Sequence, residues 1–362
     1  MQERVEFANT LRGVAAFSVL ISHYTLSFWA FDRSITASLI HAPELPLEQA
    51  AFPTYLLWLH TSVPQFGWAA FGVALFFLVS GFVIPFSLRT ATGPSFLVTR
   101  FFRIVPLYVC GFSITLLSIW LVGRYFNVPW PFALRDVLVQ YVPAVRDFMW
   151  LPSIDGIVWT LEVEMKFYVV CAVASAWFRR RSPLVLVCPV AIAAIGFLID
   201  ATADWSGNLV IYRICLAIAS ACPFLIFMFI GVAFHLLYVR TIPPELGLFS
   251  AAGLFFLFAM HQWQAQVLWT YAFAVIVFAF AATFPSLFRG TWISNFFADI
   301  SYPLYVVHGV AGYASMRVLM DLGAPAWVTL ALVTAGSLSL AWVLHIAVEK
   351  PTQQLGKRIT AV

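Results

Sequence analysis

Ten long apolar runs, each close to the length that crosses a bilayer, constrain this chain more than any other feature. A helix needs about 20 apolar residues to span the hydrocarbon, where only helices or closed barrels satisfy their own backbone hydrogen bonds. The runs are continuous and lack the alternating pattern of barrel strands. We therefore predict transmembrane helices near Asn9–Phe31, Gly67–Leu88, Ile104–Arg124, Val158–Phe178, Pro183–Ile199, Leu209–Tyr238, Gly247–His261, Gln266–Leu287, Ile300–Met320 and Ala326–Val348.

The runs predict an all-α, polytopic protein of about ten transmembrane helices, with residues 1–362 forming one membrane domain. With 62% hydrophobic and 10% charged residues, the chain is far more apolar than a soluble domain, and its main partner is the lipid bilayer. Lys and Arg residues fall in alternate loops, on the same side as both termini, which we expect in the cytoplasm. The basic residues form no continuous polar face, so nucleic acid is not an expected partner.

The first predicted helix carries two ionisable side chains, which cost a few kcal/mol each inside a membrane and so indicate functional sites. Arg12 lies near its start and His23 follows eleven residues later. At roughly 100° and 1.5 Å per residue, both share one face and lie about 16 Å apart along the axis. A neutral imidazole at that depth can act as a general base. Alternatively, His23 only hydrogen-bonds a neighbouring helix.

Two arginines lie three residues apart where the third predicted helix begins. With this spacing, Arg100 and Arg103 can point to the same side of a helix. Paired guanidinium groups fit phosphate oxygens, which makes the two arginines candidate ligands of an anionic cosubstrate. The alternative is simple anchoring at the membrane surface, because arginines commonly flank transmembrane helices.

The fourth predicted helix places two acids and a lysine where the membrane should exclude charge. Glu162 and Lys166 are four residues apart, and we expect them to pair along the helix. Glu164 points in roughly the opposite direction and shares a face with Thr160 and Tyr168. Glu164 is therefore the better functional candidate.

The ninth predicted helix carries a polar face formed by Ser301, Tyr305 and His308, within two turns. A polar face on a spanning helix contacts protein or water rather than lipid, and either interhelical hydrogen bonding or substrate binding explains it. No nucleotide-binding loop, HExxH motif or clustered metal-ligand spacing occurs in the sequence, so we expect no metal cofactor.

With these residues the chain resembles the acyltransferase 3 family, a family of ten-helix membrane acyltransferases. The family includes bacterial O-acetylases of surface polysaccharides and some macrolide acylases. Its arginine-ten residues-histidine pattern matches Arg12 and His23, and its R-x-x-R motif matches Arg100 and Arg103. The similarity extends to Trp159-Thr160-Leu161 with Glu164, the run from Ser301 to His308, and Glu349-Lys350-Pro351.

The resemblance implies an acyl-CoA-dependent O-acyltransferase of the bacterial inner (cytoplasmic) membrane. Acyl-CoA, in the simplest case acetyl-CoA, would arrive from the cytoplasm, and the acceptor would be a hydroxyl of a sugar, polysaccharide or glycoside. Some relatives carry an appended periplasmic SGNH domain, which we do not expect within residues 1–362.

Roles for individual residues follow from this resemblance together with the helix geometry. His23 would be the general base, and Glu164 or His308 would orient the imidazole or a hydroxyl; transfer through an acyl-histidine is a variant. The expected ligands of the CoA phosphates are Arg12, Arg100 and Arg103. The expected acceptor-binding residues are Trp159, Tyr302 and Tyr305.

Two other classes of function fit parts of the sequence. A transporter or flippase for a glycolipid or small solute also uses intramembrane acids and histidines, as proton relays. Such proteins often show inverted repeats with broken helices in matching halves, which we do not find here. A non-enzymatic receptor or scaffold would leave the charged residues inside the helices unexplained.

Overall fold

The computed structural model describes residues 5–29, 33–49, 66–202, 207–262 and 264–360. The regular secondary structure of these residues is entirely helical. The predicted all-α, polytopic membrane fold is thereby confirmed. The end of the first predicted helix at Phe31 lies outside the described residues.

Helices make up most of the described chain, and a longer non-helical segment covers residues 141–157. Numbered in chain order, they are α1 Glu6–Ile21, α2 Arg33–Ile40, α3 Trp68–Leu88, α4 Gly93–Phe126, α5 Leu134–Gln140, α6 Val158–Val173, α7 Ser175–Arg179, α8 Val187–Thr202, α9 Leu209–Ala219, α10 Cys222–Tyr238, α11 Pro244–His261, α12 Ala265–Thr283, α13 Trp292–Asp299, α14 Ser301–Val307, α15 Gly309–Asp321, α16 Ala326–Leu344 and α17 Lys350–Thr360. Two π-helical segments, Ser22–Ser27 and His345–Glu349, continue α1 and α16.

Seven helical segments in the described ranges are long and apolar enough to cross a membrane. They cover residues 68–88, 93–126, 183–202, 209–238, 244–261, 265–283 and 326–360. The remaining three predicted helices also fall on helical backbone, but each is interrupted. The first changes to π-helix at Ser22, the fourth breaks at Ala174 and the ninth breaks at His308. Interruptions of this kind in a membrane are tolerated where they lie within the protein interior.

The helix α4 begins at Gly93, well before the predicted start at Ile104. The hydroxyl oxygen of Thr92 accepts a hydrogen bond from the Ser95 amide, and a proline in the first turn fits this start. The polar stretch containing Arg100 had suggested a membrane boundary. The structure instead places Arg100 inside the helix, where it is 8% exposed.

Helix α3 packs closely against α1 on one side and α10 on the other. A Cβ atom added at Gly81 would lie 1.9 Å from the carbonyl oxygen of Met228 in α10. One added at Gly72 would lie 2.6 Å from the carbonyl oxygen of Ala15 in α1. Small residues at such positions let helix backbones touch, which is a main source of packing between helices in membranes. This packing fixes α1, and with it Arg12, against the centre of the bundle.

Candidate active site

Two arginines from different helices line a cavity inside the bundle. Arg12 of α1 and Arg103 of α4 lie on its wall together with Ser80, Glu164 and Tyr168. We call the space lined by these five residues the charged cavity. Neither guanidinium makes a hydrogen bond or an ion pair with any residue in the described ranges. Both arginines also line an adjoining cavity that reaches the start of α1 and the face of α17.

The carboxylate of Glu164 is held in the charged cavity by two hydroxyl groups. Its Oε1 accepts hydrogen bonds from Tyr168 Oη at 2.6 Å and from Ser80 Oγ at 3.1 Å. Thr160, Glu164 and Tyr168 are spaced four residues apart on α6 and all line the same space, as their spacing indicates. The two hydroxyl donors fix the direction of this carboxylate.

Arg100 also lines the charged cavity, but its guanidinium is bound to protein groups. Its Nη2 donates to Ser87 Oγ at 2.8 Å. The guanidinium carbon lies 5.0 Å from the ring centroid of Phe96 and 5.5 Å from that of Tyr168, within the range of cation–π attraction. Three guanidinium groups thus face this space against the single carboxylate of Glu164. The excess of positive charge favours an anionic ligand.

Two tyrosines of α14 line the inner end of the same space. Tyr302 donates its hydroxyl to the carbonyl oxygen of Ile104 at 2.9 Å. The Tyr305 hydroxyl lies 2.7 Å from Thr160 Oγ1. Because the Thr160 hydroxyl donates to the carbonyl oxygen of Ile157 at 3.0 Å, the tyrosine is the donor in this pair. Both rings are therefore held by bonds to other helices.

The imidazole of His308 has a defined tautomer. Its Nδ1 lies 2.9 Å from the carbonyl oxygen of Leu304 and 3.0 Å from that of Tyr305. Carbonyl oxygens only accept hydrogen bonds, so Nδ1 carries the hydrogen and Nε2 of the neutral ring is a free lone pair. Nε2 is buried and has no hydrogen-bond partner among the described residues, and the residue is 1% exposed. A buried acceptor without a partner is the kind of group found at catalytic sites.

His23 lies against His308, and we call the two residues the histidine pair. The ring centroids are 4.7 Å apart and the rings are perpendicular. His23 Nδ1 lies 2.5 Å from the hydroxyl of Tyr313 on α15. The hydroxyl of the neighbouring Tyr24 donates to the carbonyl oxygen of His308 at 2.8 Å. The sequence interpretation missed both tyrosines, although each is an aromatic hydroxyl inside an apolar run close to a histidine.

The histidine pair and the charged cavity are separate, and Tyr305 lies between them. Neither histidine lines the charged cavity, whereas Tyr305 lines its inner end and has its ring centroid 5.9 Å from that of His308. Arg12 lines the charged cavity, whereas His23, just after the change to π-helix at Ser22, contacts Tyr313 of α15.

The predicted pairing of Glu162 with Lys166 along α6 is wrong. Glu162 instead accepts two hydrogen bonds from Arg146, at 2.8 and 2.5 Å, and Lys166 pairs with Asp147. The segment after α5 folds back on α6, where Arg146 offers a bidentate geometry that a lysine cannot provide.

Trp159, expected to bind the acceptor, lies outside the charged cavity. It is 37% exposed, and its ring centroid is 5.2 Å from that of Phe224. Its neighbours Thr160 and Leu161, by contrast, line the cavity wall. In the first turn of α6, Thr160 and Leu161 therefore face the cavity, while Trp159 contacts α10.

The comparison with known proteins agrees with the resemblance found in the sequence. The model of the acyltransferase 3 family, described as an acyltransferase domain, matches residues 5–346. A similar curated protein is Nodulation protein 10 of Rhizobium leguminosarum bv. viciae, which is 32% identical over 162 residues, 38% of this chain and 44% of the relative. The matched part thus spans less than half of that relative's length, and no solved structure matches the chain. Because the family match extends over nearly the whole chain, including the charged cavity and the histidine pair, the chain belongs to the acyltransferase 3 family.

Proposed function

We propose that this protein is an integral membrane O-acyltransferase. It moves an acyl group from acyl-CoA to a hydroxyl of a sugar, polysaccharide or glycoside. The observation that carries the proposal is the pair of guanidiniums, Arg12 and Arg103, that face the charged cavity without a partner in the described part of the chain. A cosubstrate with several phosphates supplies the negative charge that this space lacks.

The donor is acyl-CoA, with acetyl-CoA as the simplest member of the class. CoA carries its phosphates at one end and its thioester at the other, joined by a flexible pantetheine arm. Arg12 and Arg103 bind phosphate oxygens through their forked donors, while Arg100, held by Ser87, adds positive charge behind them. The arm then extends past Tyr302 and Tyr305 toward the histidine pair.

The histidine pair supplies the acid–base chemistry, with His23 as the general base. The acceptor oxygen attacks the thioester carbonyl carbon while His23 Nε2 takes the hydroxyl proton. The carbon–sulfur bond then breaks, and the proton passes to the leaving sulfur, so that an ester and free CoA thiol are formed. The Tyr313 hydroxyl orients His23 through Nδ1, and the His308 ring packs perpendicular to the His23 ring.

The candidate contacts of the acceptor are Tyr302 and Tyr305 on the wall of the charged cavity, and Trp159 outside it at the start of α6. Aromatic rings offer flat apolar surfaces with polar edges, which suits the faces of sugar rings. We place the protein in the bacterial inner membrane, as the family resemblance implies, and the distribution of Lys and Arg residues supports a topology with both termini in the cytoplasm.

The test is release of CoA by purified protein in detergent, followed with a thiol reagent. Acetyl-CoA is supplied with a panel of monosaccharides and glycosides, and mass spectrometry identifies any acylated product. We expect acceptor-dependent release that falls at least about 100-fold in His23→Ala, because general bases contribute about 10²–10⁴-fold. The matched control is His41→Ala, which removes a histidine that lines a different cavity and contacts Phe132, and which should retain the rate.

Retained activity in His23→Ala would rule out its role as the base. If the wild-type protein released no CoA with any acceptor but moved a glycolipid across proteoliposomes, the enzyme proposal would fail in favour of a transporter. Mass spectrometry of surface glycans from cells with and without the protein gives an independent readout, because loss of an acyl mass identifies both acyl group and acceptor.

A further inference from the structure

A second concave site lies at the far end of α4 from the charged cavity. It is a cavity of about 360 Å³ whose wall includes Trp120 and Gly123 of α4 and the segment from Asn127 to Pro131. We call it the outer cavity. Arg103 and Gly123 are about 30 Å apart along α4, at roughly 1.5 Å per residue. A cavity of this size holds a small molecule, and the chemistry proposed above uses none of its residues.

The outer cavity and the charged cavity lie on opposite sides of the histidine pair. Helix α4 runs beside α14 and α15 in the same direction. At one end, Tyr302 donates to the carbonyl oxygen of Ile104. At the other end, the guanidinium carbon of Arg317 lies 4.4 Å from the ring centroid of Phe126. His308 lies between Tyr302 and Arg317 in the chain, so a donor in the charged cavity approaches the histidine pair from the side away from the outer cavity.

An aromatic ring is held firmly at the wall of the outer cavity. Trp130 is 43% exposed and lies between Pro129 and Pro131, which restrict its backbone. Its ring centroid lies 5.4 Å from that of Phe132, with the two rings nearly perpendicular. Phe132 in turn contacts the ring of His41, at 4.8 Å between centroids. A ligand that stacks on Trp130 therefore has little side-chain motion to suppress.

A polar side chain lines the outer cavity together with this ring. Asn127 ends α4 in the left-handed conformation, with φ 56°, and the Val128 amide donates to the carbonyl oxygen of Gly123 at 2.7 Å. The side-chain amide of Asn127 has no hydrogen-bond partner among the residues that the structure describes. An amide offers both donors and an acceptor, so it can bind a hydroxyl group in either sense.

These features fit a sugar ring better than a lipid. Tryptophans near a membrane surface commonly contact lipid headgroups, and Trp120, which is 50% exposed, can do so. Trp130 instead belongs to a concave wall that also carries the free amide of Asn127. A sugar ring has an apolar face and a rim of hydroxyl groups, which match an aromatic face and an adjacent amide.

We propose that the outer cavity binds one sugar residue of an extended glycan while another residue of the same glycan reacts at the histidine pair. The Trp130 ring stacks on the face of the bound sugar, and the Asn127 amide exchanges hydrogen bonds with its hydroxyl groups. Arg317, beside the outer cavity, lies about 14 Å beyond His308 at roughly 1.5 Å per residue, so a single sugar at the pair does not extend to Trp130. The inference rests on the proposed acyl transfer and specifies the acceptor as an oligosaccharide or polysaccharide.

The experiment compares acceptors of different length for the purified protein, with acetyl-CoA held constant. The probes are glucose, galactose and N-acetylglucosamine, and tetrasaccharides built from the same sugars. We expect the wild type to prefer a tetrasaccharide over its monosaccharide by about tenfold or more in kcat/KM, because stacking and hydrogen bonding each contribute a few-fold. Calorimetry of tetrasaccharide binding without acetyl-CoA gives a second readout that does not depend on catalysis.

Two variants test the wall of the outer cavity. Trp130→Ala should lower the preference for the tetrasaccharide by at least about threefold and weaken its binding, with the KM for acetyl-CoA unchanged. Asn127→Gly removes the amide, keeps a residue suited to the left-handed turn, and should lower the preference by about 2- to 10-fold. The matched control is Trp327→Ala, which removes a tryptophan that is 66% exposed and outside the cavity lining, and should retain the preference.

His41 and Arg124 also line the outer cavity. Because a monosaccharide at the histidine pair does not extend to this cavity, substitution of either residue should retain the rate with monosaccharides. Equal kcat/KM for monosaccharides and tetrasaccharides in the wild type, or an undiminished preference in Trp130→Ala, would overturn the assignment. Either result would leave the enzyme proposal standing, because that proposal fails only if no acceptor supports release of CoA.

Discussion

Replacing Arg103 by methionine separates ligand binding from protein stability. Methionine retains much of the apolar stem but removes the guanidinium that faces the charged cavity. Arg103 has no ion pair with the described residues, so its loss leaves no carboxylate without a partner. We expect Arg103→Met to weaken acyl-CoA binding strongly while leaving the protein as stable as the wild type, or more so.

The magnitude follows from the kind of contact that is lost. A hydrogen bond to a charged group contributes about 1.5–3 kcal/mol, and each 1.4 kcal/mol is a factor of about ten. The KM for acetyl-CoA should therefore rise by roughly 10- to 150-fold. Breaking a buried ion pair would instead destabilise the fold by about 3–5 kcal/mol, an effect that we do not expect here.

Two measurements on the same preparation check this expectation: the KM for acetyl-CoA from thiol release, and the midpoint of thermal unfolding in detergent. Arg124→Met is the matched control, because Arg124 lies on the same helix, about 31 Å away at roughly 1.5 Å per residue. An unchanged KM, or a lowered unfolding midpoint with normal binding, would refute the reasoning.

Two further predictions concern the fold that holds the site. Glu162→Gln should destabilise the protein by about 3–5 kcal/mol, because it leaves Arg146 unpaired. Replacing both residues by methionine should reduce the stability less. Equal decreases of the thermal unfolding midpoint in the two variants would contradict this. Gly81→Ala should destabilise the protein by at least about 1–3 kcal/mol, because the added Cβ would meet the Met228 carbonyl oxygen. The control Gly336→Ala, whose added Cβ has nothing within 4 Å, should be neutral or stabilising. Unfolding midpoints that shift equally in the two variants would show that the close approach of α3 and α10 is not required.

The sequence predicts much of this architecture because the membrane limits what a polar residue can do. A continuous apolar run of spanning length satisfies its backbone hydrogen bonds only as a helix, so the predicted helices fall mainly on helical backbone within the described residues. Polar residues within such runs must face one another or a cavity. This explains why Arg12, Arg103 and Glu164, far apart in sequence, line the same space.

What the sequence does not reveal depends on contacts between segments. Glu162 had a suitable partner on its own helix, but the loop supplies Arg146, whose two donors match the carboxylate better. A π-helical segment has no reliable sequence signal, so the change of helix type at Ser22 could not be predicted. The contact of His23 with Tyr313 joins helices nearly the whole chain apart.

The excess of guanidinium groups in the charged cavity has a consequence for the catalytic cycle. Three cations that face one carboxylate in a medium of low polarity repel one another, and a bound anion relieves this repulsion. If the proposed function is correct, the CoA product leaves most easily when another anion takes its place. Turnover would then be governed by exchange of spent for fresh donor, and free CoA or small phosphates would compete with the substrate.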